Sequence, residues 1–460
     1  WVANYFKEAR AITIKYISGN PVFVTKSFIS IGRQGLPRVL GPNLRILAKS
    51  KCEIDLRFLL TLMKVTKILQ VDPRPKVNSI IAGNPASGAL FPQELLVKFF
   101  NTVQVGHVDD IRWTKYHMST KSSPNGGRAT YSAIKELATL YKKKCGPFEN
   151  VVQAIGVIAG PQLIGYMDTL KNTKLVEQSE VVGLRRITAI QDKECKTRLI
   201  CQLDYWSQTA LLPLHNYFLK ILAQLKQDCT FDQSLFLKDL PRRRFFACYD
   251  LKDATDRFPI ELQQQVLNHL FGPDVATAWA SLLTSLPYAP NQGSIYYRNH
   301  VNPNEFESGS PIHYASGQPM GAYSSWAIFA LSHHLVIWWA AQRAGYGAFS
   351  DYSLLGDDLV ICCPRVAKEY QIIMSQLGVE ISTIKSVVST QLLEFASRHF
   401  LNGKEITGFS LVGLLNVQTA SEMIEFLRTQ SAKGYTSLSH FDPSMFRNLI
   451  KILSSNVSQK

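Results

Sequence analysis

The sequence predicts an α+β fold from three observations. A short apolar run of strand type, Phe245-Phe246-Ala247-Cys248-Tyr249, ends at Asp250. Further on, the apolar arms Ser353-Leu354-Leu355 and Leu359-Val360-Ile361-Cys362 flank Gly356-Asp357-Asp358, the pattern of a hairpin. Between them helical spacing takes over, with Leu262, Val266 and Leu270 recurring every fourth residue.

The strand ending at Asp250 is followed by a polar turn, Leu251 to Arg257, and then by Pro259, which suits a first helical position. Gly272-Pro273 stops that helix. Asp250 therefore stands at the C-terminal tip of a buried strand, where packing explains a carboxylate poorly. Taken alone, Gly356-Asp357-Asp358 fits a plain β-turn equally well, since Gly and Asp are both turn residues. Upstream, Lys121-Ser122-Ser123-Pro124-Asn125-Gly126-Gly127 is a strong turn signal with Arg128 after it. From Tyr131 a helical segment runs to Lys142-Lys143-Lys144, where cations suit the helix C-terminus. The first hundred residues show helical periodicity and short apolar strands but no chemical motif. No repeat, low-complexity tract or Pro/Gly/Ser-rich linker divides the chain, which favours one body with interleaved subdomains.

The 460 residues are 46% apolar and 18% charged, too apolar for a disordered chain. No run reaches the roughly 18 apolar residues of a membrane span; the nearest, Ala322 to Ala341, is broken by Ser324, Ser325, Ser332, His333 and His334. A net charge of +15 and a pI near 9.3 fit a polyanion partner, or an inert basic surface. The eight cysteines form no CxxC pair, so they suggest a reducing, intracellular compartment rather than a zinc site or a disulfide scaffold. The chain opens on Trp1 with no basic-then-apolar leader, as a processed or truncated piece would.

The acidic turns have company in a definite order. Lys193, Lys196 and Arg198 alternate with polar residues before the strand Leu199-Ile200-Cys201, and with Arg185 and Arg186 they form a cationic ribbon. Ser316-Gly317-Gln318-Pro319-Met320-Gly321 is a small, flexible loop opening into an apolar helix near Ala322. Each cation alone is compatible with a solvated face; the ordered set asks for more.

That set resembles the viral RNA-dependent RNA polymerases, above all those of mitoviruses, capsidless RNA viruses of mitochondria. The likeness rests on Lys196-Thr197-Arg198-Leu199-Ile200, Leu203-Asp204-Tyr205-Trp206-Ser207, Asp250-Leu251-Lys252-Asp253-Ala254-Thr255-Asp256-Arg257-Phe258-Pro259 and Gly317-Gln318-Pro319-Met320-Gly321-Ala322-Tyr323-Ser324-Ser325-Trp326. Gly356-Asp357-Asp358, Lys385-Ser386 and Glu394-Phe395-Ala396 complete the family's motif order, over roughly residues 100 to 410. The Lys121–Gly127 turn also looks mitoviral.

The resemblance implies a right-hand polymerase whose palm is a small antiparallel sheet backed by helices. It implies an N-terminal extension with fingers-associated helices over 1–100 and fingers over 101–240. A palm over 241–400, with a fingers insertion at about 274–310, and a truncated thumb over 401–460 complete the expected division. The expected activity is RNA-directed RNA synthesis on a viral genome. The partners would be template and nascent RNA and nucleoside triphosphates, with no membrane span, the chain acting as a monomer in the mitochondrion.

Nucleotidyl transfer needs both the attacking 3′-hydroxyl and the departing pyrophosphate stabilised, which two Mg²⁺ ions can do (Mn²⁺ being a possible substitute). Mg²⁺ wants hard oxygen ligands, so Asp250 and Asp357 are the expected pair, flanked by Asp358. His333 and His334 suit the core or a helix surface better than a metal. Lys193, Lys196 and Arg198 suit a triphosphate clamp, Arg198 bidentately. By resemblance Asp256 is the acidic reader of the ribose 2′-hydroxyl, with Asp253 a rival. Ser316, Gly317 and Gln318 would form the pliable loop that holds nucleotide and template. Many relatives carry an Asn in the following helix; here Trp326 lies near that place. Lys385 matches a lysine that protonates leaving pyrophosphate, or is simply solvated. Glu394 to Gly403 resembles the palm–thumb hairpin, from which Arg398 or Lys404 would touch primer phosphate. Tyr205-Trp206 would stack on template or pack in the core.

A reverse transcriptase or maturase shares the palm but usually shows an aromatic-x-Asp-Asp hairpin and an aromatic gate against the 2′-hydroxyl; Gly356 in the hairpin and Asp256 both argue against it. A cyclic-dinucleotide cyclase lacks the long basic region. A catalytically inactive, endogenised RNA-binding copy is the rival from another class.

Overall fold

The computed structural model describes residues 2–23, 29–69, 77–84, 88, 90–108, 111–116, 118–142, 146–177, 183–238, 242–290 and 312–435. The basic pair 143–144, most of the expected insertion (291–310), the end of the expected thumb (436–460) and Trp1 lie outside the described residues.

Strands β1 (Arg186–Asp192) and β2 (Lys196–Gln202) form an antiparallel ribbon, with Asp192 opposite Lys196. The central sheet holds β3 (Phe246–Asp250), β5 (Tyr352–Leu355), β6 (Asp358–Ile361) and β7 (Val387–Ser389) in the order β5-β6-β3-β7, every pair antiparallel. The short β4 (Ala289–Pro290) runs parallel to β1. β8 (Leu392–Phe395), β9 (Arg398–Leu401) and β10 (Lys404–Glu405) make a third small sheet. The expected α+β fold with a small antiparallel sheet backed by helices is what forms.

The alternation of side chains along a strand sorts the central sheet into two cores. Ala247, Tyr249, Leu354, Leu359 and Ile361 enter the main core, which extends from Ile80 to Val379. Phe246, Cys248 and Val360 point the other way, onto Phe236, Leu393, Phe395 and Phe400. With both faces covered, β3 reads as an unbroken apolar run.

Helix α1 is Val2–Ile17, α2 Ala129–Lys142, α3 Tyr205–Gln224, α4 Ile260–Phe271, α5 Ser325–Arg343 and α6 Pro364–Gln376. α5 is apolar nearly all round because it lies inside the main core, which is how a membrane-like composition serves a packed interior. It starts later than the sequence suggests: residues 319–324 turn instead, with Ser324 at φ 71. Pro259 is the residue before α4 rather than its first turn. Among the described residues no helix is long and apolar enough to cross a membrane.

The Ser123–Gly127 turn is held by buried Glu136 of α2, which accepts bonds from Ser123 (2.8 Å), Asn125 (3.0 Å), Ser132 (3.0 Å) and the Tyr205 N–H (2.7 Å). The motif thus fastens α2 to the start of α3.

Candidate active site

An open cavity of about 1690 Å³ gathers the polar motifs. Lys196 and Arg198 reach it from β2, Asp253 and Asp256 from the turn after β3, Met320 to Tyr323 from the glycine loop and Trp326 from α5; Asp357 and Lys385 also line it. The N-terminal hundred residues, silent in the sequence, supply another wall through Val2, Ala3 and Asn4 of α1 and through Asn78 and Ser79.

Antiparallel pairing brings the acidic turns together, with Asp250 opposite Asp358 across β3 and β6. Lys385 Nζ donates to Asp250 Oδ2 at 2.7 Å, and the neighbouring Ser386 Oγ accepts the Asp250 N–H at 3.2 Å. The Asp357 carboxyl is raised by burial and by the charge of Asp250, against the pull of Lys385 and Lys196. These four groups therefore act on one another at one place. Two repelling carboxylates, one already matched by an ammonium, are hard donors that a divalent cation would relieve, so Asp250 and Asp357 fit a metal of that kind. Among the described residues no cluster of three or more His, Cys, Asp or Glu side chains could hold a metal.

Asp358, the expected flanking ligand, stands directly opposite Asp250 in the ladder and so on the same face of the sheet. Its Oδ2 accepts the Ala396 N–H at 2.7 Å. Burial pushes its carboxyl up to about 8.

The turn itself is fixed from behind. Gly356 has φ 62, and a Cβ there would sit 2.0 Å from the Trp326 ring, so glycine is required twice over. Its carbonyl meets His333 Nδ1 at 2.8 Å, and His333 Nε2 meets the Tyr370 hydroxyl at 2.8 Å. Burial pushes His333 down to about 4, so it is neutral; Nδ1–H donates to the carbonyl and Nε2 accepts from Tyr370. His334, also buried, joins Asp228 (3.1 Å) and Tyr352 (2.9 Å). Both histidines are core residues, as expected.

Asp256 accepts from the Ser79 hydroxyl at 2.8 Å and lies 3.5 Å from that of Tyr314. Asp253 is exposed and left-handed at φ 51, so the two candidate sugar readers line the same wall in different settings. Ser79 and Tyr314 were missed because a serine in Asn78-Ser79-Ile80-Ile81 carries no signal until the chain folds.

The glycine loop supports the site from outside the cavity. Ser316 donates to the Ala82 carbonyl at 3.2 Å. A Cβ on Gly317 would lie 2.2 Å from the Thr255 carbonyl oxygen, and Gln318, fully buried, bonds Gln263 and the Ser325 carbonyl. Ser316, Gly317 and Gln318 therefore press on the turn bearing Asp256, and the cavity wall is made by the residues that follow them.

The cations of the ribbon divide between core, surface and cavity. Arg185 is buried against Asp204 (3.5 Å) and Ser207 (3.2 Å), and the exposed Lys193 does not line the cavity. Lys196 and Arg198 do line it; Arg198 bonds Asp192 at 2.6 Å, which keeps its guanidinium oriented. Tyr205 and Trp206 are core residues, Trp206 donating to the Ala133 carbonyl at 2.8 Å. Arg398 is bound to Glu405 at 2.9 and 2.5 Å, whereas Lys404 is exposed.

A family model described as mitovirus RNA-dependent RNA polymerase matches residues 110–457. The chain is 29% identical over 422 residues to the RNA-directed RNA polymerase of Cryphonectria parasitica mitovirus 1, covering 86% of this chain and 49% of that one. It thus spans about half the length of that relative. An uncharacterized mitochondrial protein of Arabidopsis thaliana is 40% identical over 189 residues, or 40% of this chain and 71% of that protein. A second Arabidopsis mitochondrial protein is 35% identical over 176 residues, covering 37% of this chain and 79% of that one. Among solved structures, the insertion loop deletion mutant of a human picobirnavirus RNA-dependent RNA polymerase aligns with a TM-score of 0.38 at 16% identity, over 49% of this chain and 46% of that one.

Proposed function

The chain belongs to the mitovirus RNA-dependent RNA polymerase family, and from that premise we propose that it carries the catalytic body of an RNA-directed RNA polymerase. The observation that carries the proposal is the convergence of Asp250, Asp357 and Lys385 with Lys196 and Arg198 around one cavity.

In this reading Lys196 and Arg198 bind the triphosphate, Arg198 offering its planar donors to phosphate oxygens. Asp256 accepts a hydrogen bond from the ribose 2′-hydroxyl, which a deoxyribose cannot give. Asp250 and Asp357 would hold divalent ions, Mg²⁺ with Mn²⁺ as a substitute, which when bound would offset negative charge developing in the transfer. Lys385, beside Asp250, delivers a proton to the departing pyrophosphate. Asp358 steadies the Ala396 amide behind the turn, and His333 holds the Gly356 carbonyl.

The sheet and its helices would be the palm (241–400), the ribbon and α2 the fingers (101–240) and the residues from 401 the start of the thumb. Residues 1–100 would close the cavity from the fingers side. Template and product RNA are the expected partners, and the Arabidopsis relatives support residence in mitochondria.

The test is incorporation of labelled nucleotide by the purified chain on a primed RNA template with Mg²⁺. Template-dependent extension supports the reading. RNA binding without incorporation would leave an inactive RNA-binding protein instead.

A further inference from the structure

The tip of the β1–β2 ribbon carries a buried acid amid cations. The chain reverses at Glu194 and Cys195, both left-handed at φ 57 and 58, a conformation that non-glycine residues keep only where their surroundings hold them. Those surroundings come from the N-terminal region. Glu194 is 8% exposed, and its carboxylate accepts a hydrogen bond from the Arg10 guanidinium of α1. The Thr66 hydroxyl lies 3.4 Å away and Lys7 Nζ 3.9 Å away. Burial pushes the Glu194 carboxyl up, but Arg10 followed by Lys67 and Lys7 pull it below its ordinary value, so the group is ionised. Cys195 Sγ sits 3.7 Å from the Leu69 carbonyl. One residue later β2 begins with Lys196, and Arg198 follows, both on the cavity wall.

A buried ion pair adds little net stability, because desolvating two charges offsets most of their attraction. What it fixes is position. Helix α1 is therefore tied through one carboxylate to the strand that presents the cavity's cations, and the Lys7 charge acts on Lys196 and Lys385 as well.

We propose that the Arg10–Glu194 ion pair is a clamp by which the N-terminal helix sets Lys196 and Arg198 for the triphosphate of the incoming nucleotide, so that Arg10 and Glu194 are positioning residues. What the ribbon grips rests on the polymerase reading; that the ribbon is gripped does not.

The test compares Glu194→Gln, Arg10→Met and the charge-keeping Arg10→Lys in the full chain, each checked for native near-ultraviolet circular dichroism. Hydrogen exchange at amides 190–198 is expected to quicken in Glu194→Gln and Arg10→Met. Their Kd for an unreactive nucleoside triphosphate analogue rises about tenfold, as for loss of a binding contribution of roughly 1.4 kcal/mol. Primed-RNA affinity holds, and Arg10→Lys, which keeps the cation, suffers less of both losses than Arg10→Met. Unchanged exchange in the folded Glu194→Gln protein would overturn the clamp whatever the activity. Faster exchange with unchanged triphosphate affinity would overturn its role in nucleotide binding. Absence of nucleotide incorporation by the unaltered chain would sink the polymerase reading separately, and the exchange and triphosphate-affinity measurements would still decide the clamp.

Discussion

The ammonium of Lys385 stands 2.7 Å from the carboxylate of Asp250, although 135 residues separate them in the chain. A lysine held there is counter-ion to that carboxylate, and in the proposed reaction it would also donate the proton to the departing pyrophosphate. Lys385→Met is predicted to lower single-turnover incorporation by about 10²–10⁴-fold, the usual range for losing a general acid. Triphosphate affinity should change far less. An unchanged rate would mean that the lysine only balances charge.

Neighbouring aspartates in the hairpin should behave differently. Asp357 faces the cavity, whereas Asp358 accepts the Ala396 N–H. Asp357→Asn is predicted to abolish incorporation while leaving RNA affinity intact. Asp358→Asn keeps an acceptor for that amide and should cost no more than about tenfold, since a neutral side chain retains the hydrogen bond. Equal losses in a primer-extension assay would count against this division of labour.

Asp256 gives a pH prediction. Burial pushes its carboxyl up to about 6, against the Ser79 hydrogen bond, with the charge of Asp253 adding to the rise. The folded chain thus holds this proton more tightly than the unfolded chain, whose carboxyl titrates near 3.9, so the group adds stability at low pH that is lost between about pH 4 and 6. If Asp256 accepts the 2′-hydroxyl as proposed, sugar selection should run oppositely, because its carboxylate forms as pH rises through about 6. Competition assays should show the preference for ribonucleotides narrowing below that pH, and Asp256→Ala should be narrow and flat throughout. An unaltered ratio in that variant would move the role to Asp253.

Gly317 packs where any side chain would meet the Thr255 carbonyl oxygen at 2.2 Å. Gly317→Ala should therefore displace the turn carrying Asp256 and destabilise the protein by about 1–3 kcal/mol, the usual cost of overpacking. Ribose selectivity should weaken in the same variant. Denaturant melts and the nucleotide competition assay check the two consequences, and normal behaviour in both would show that the loop yields freely.

Much of the site was legible because its signals are local. An apolar run ending in Asp250 and a Gly-Asp-Asp turn between apolar arms each declare their own backbone, and pairing of β3 with β6 follows. What stayed hidden depends on facing and long-range contact. Only the folded chain shows that Asp357 lines the cavity while Asp358 accepts the Ala396 N–H. Arg185 looks like one more surface cation until Asp204 is seen beside it in the core. Ser79, Arg10 and Glu194 meet their partners across separations of 177 and 184 residues, which no window of sequence can display.

The most direct measurement is anomalous scattering from crystals of the chain with primed RNA, an unreactive nucleoside triphosphate and Mn²⁺. Metal density bound jointly by Asp250 and Asp357, with Lys385 drawn away from Asp250, is the expected result. Metal bound to Asp358 instead, or density reaching only one of the two carboxylates, would contradict it.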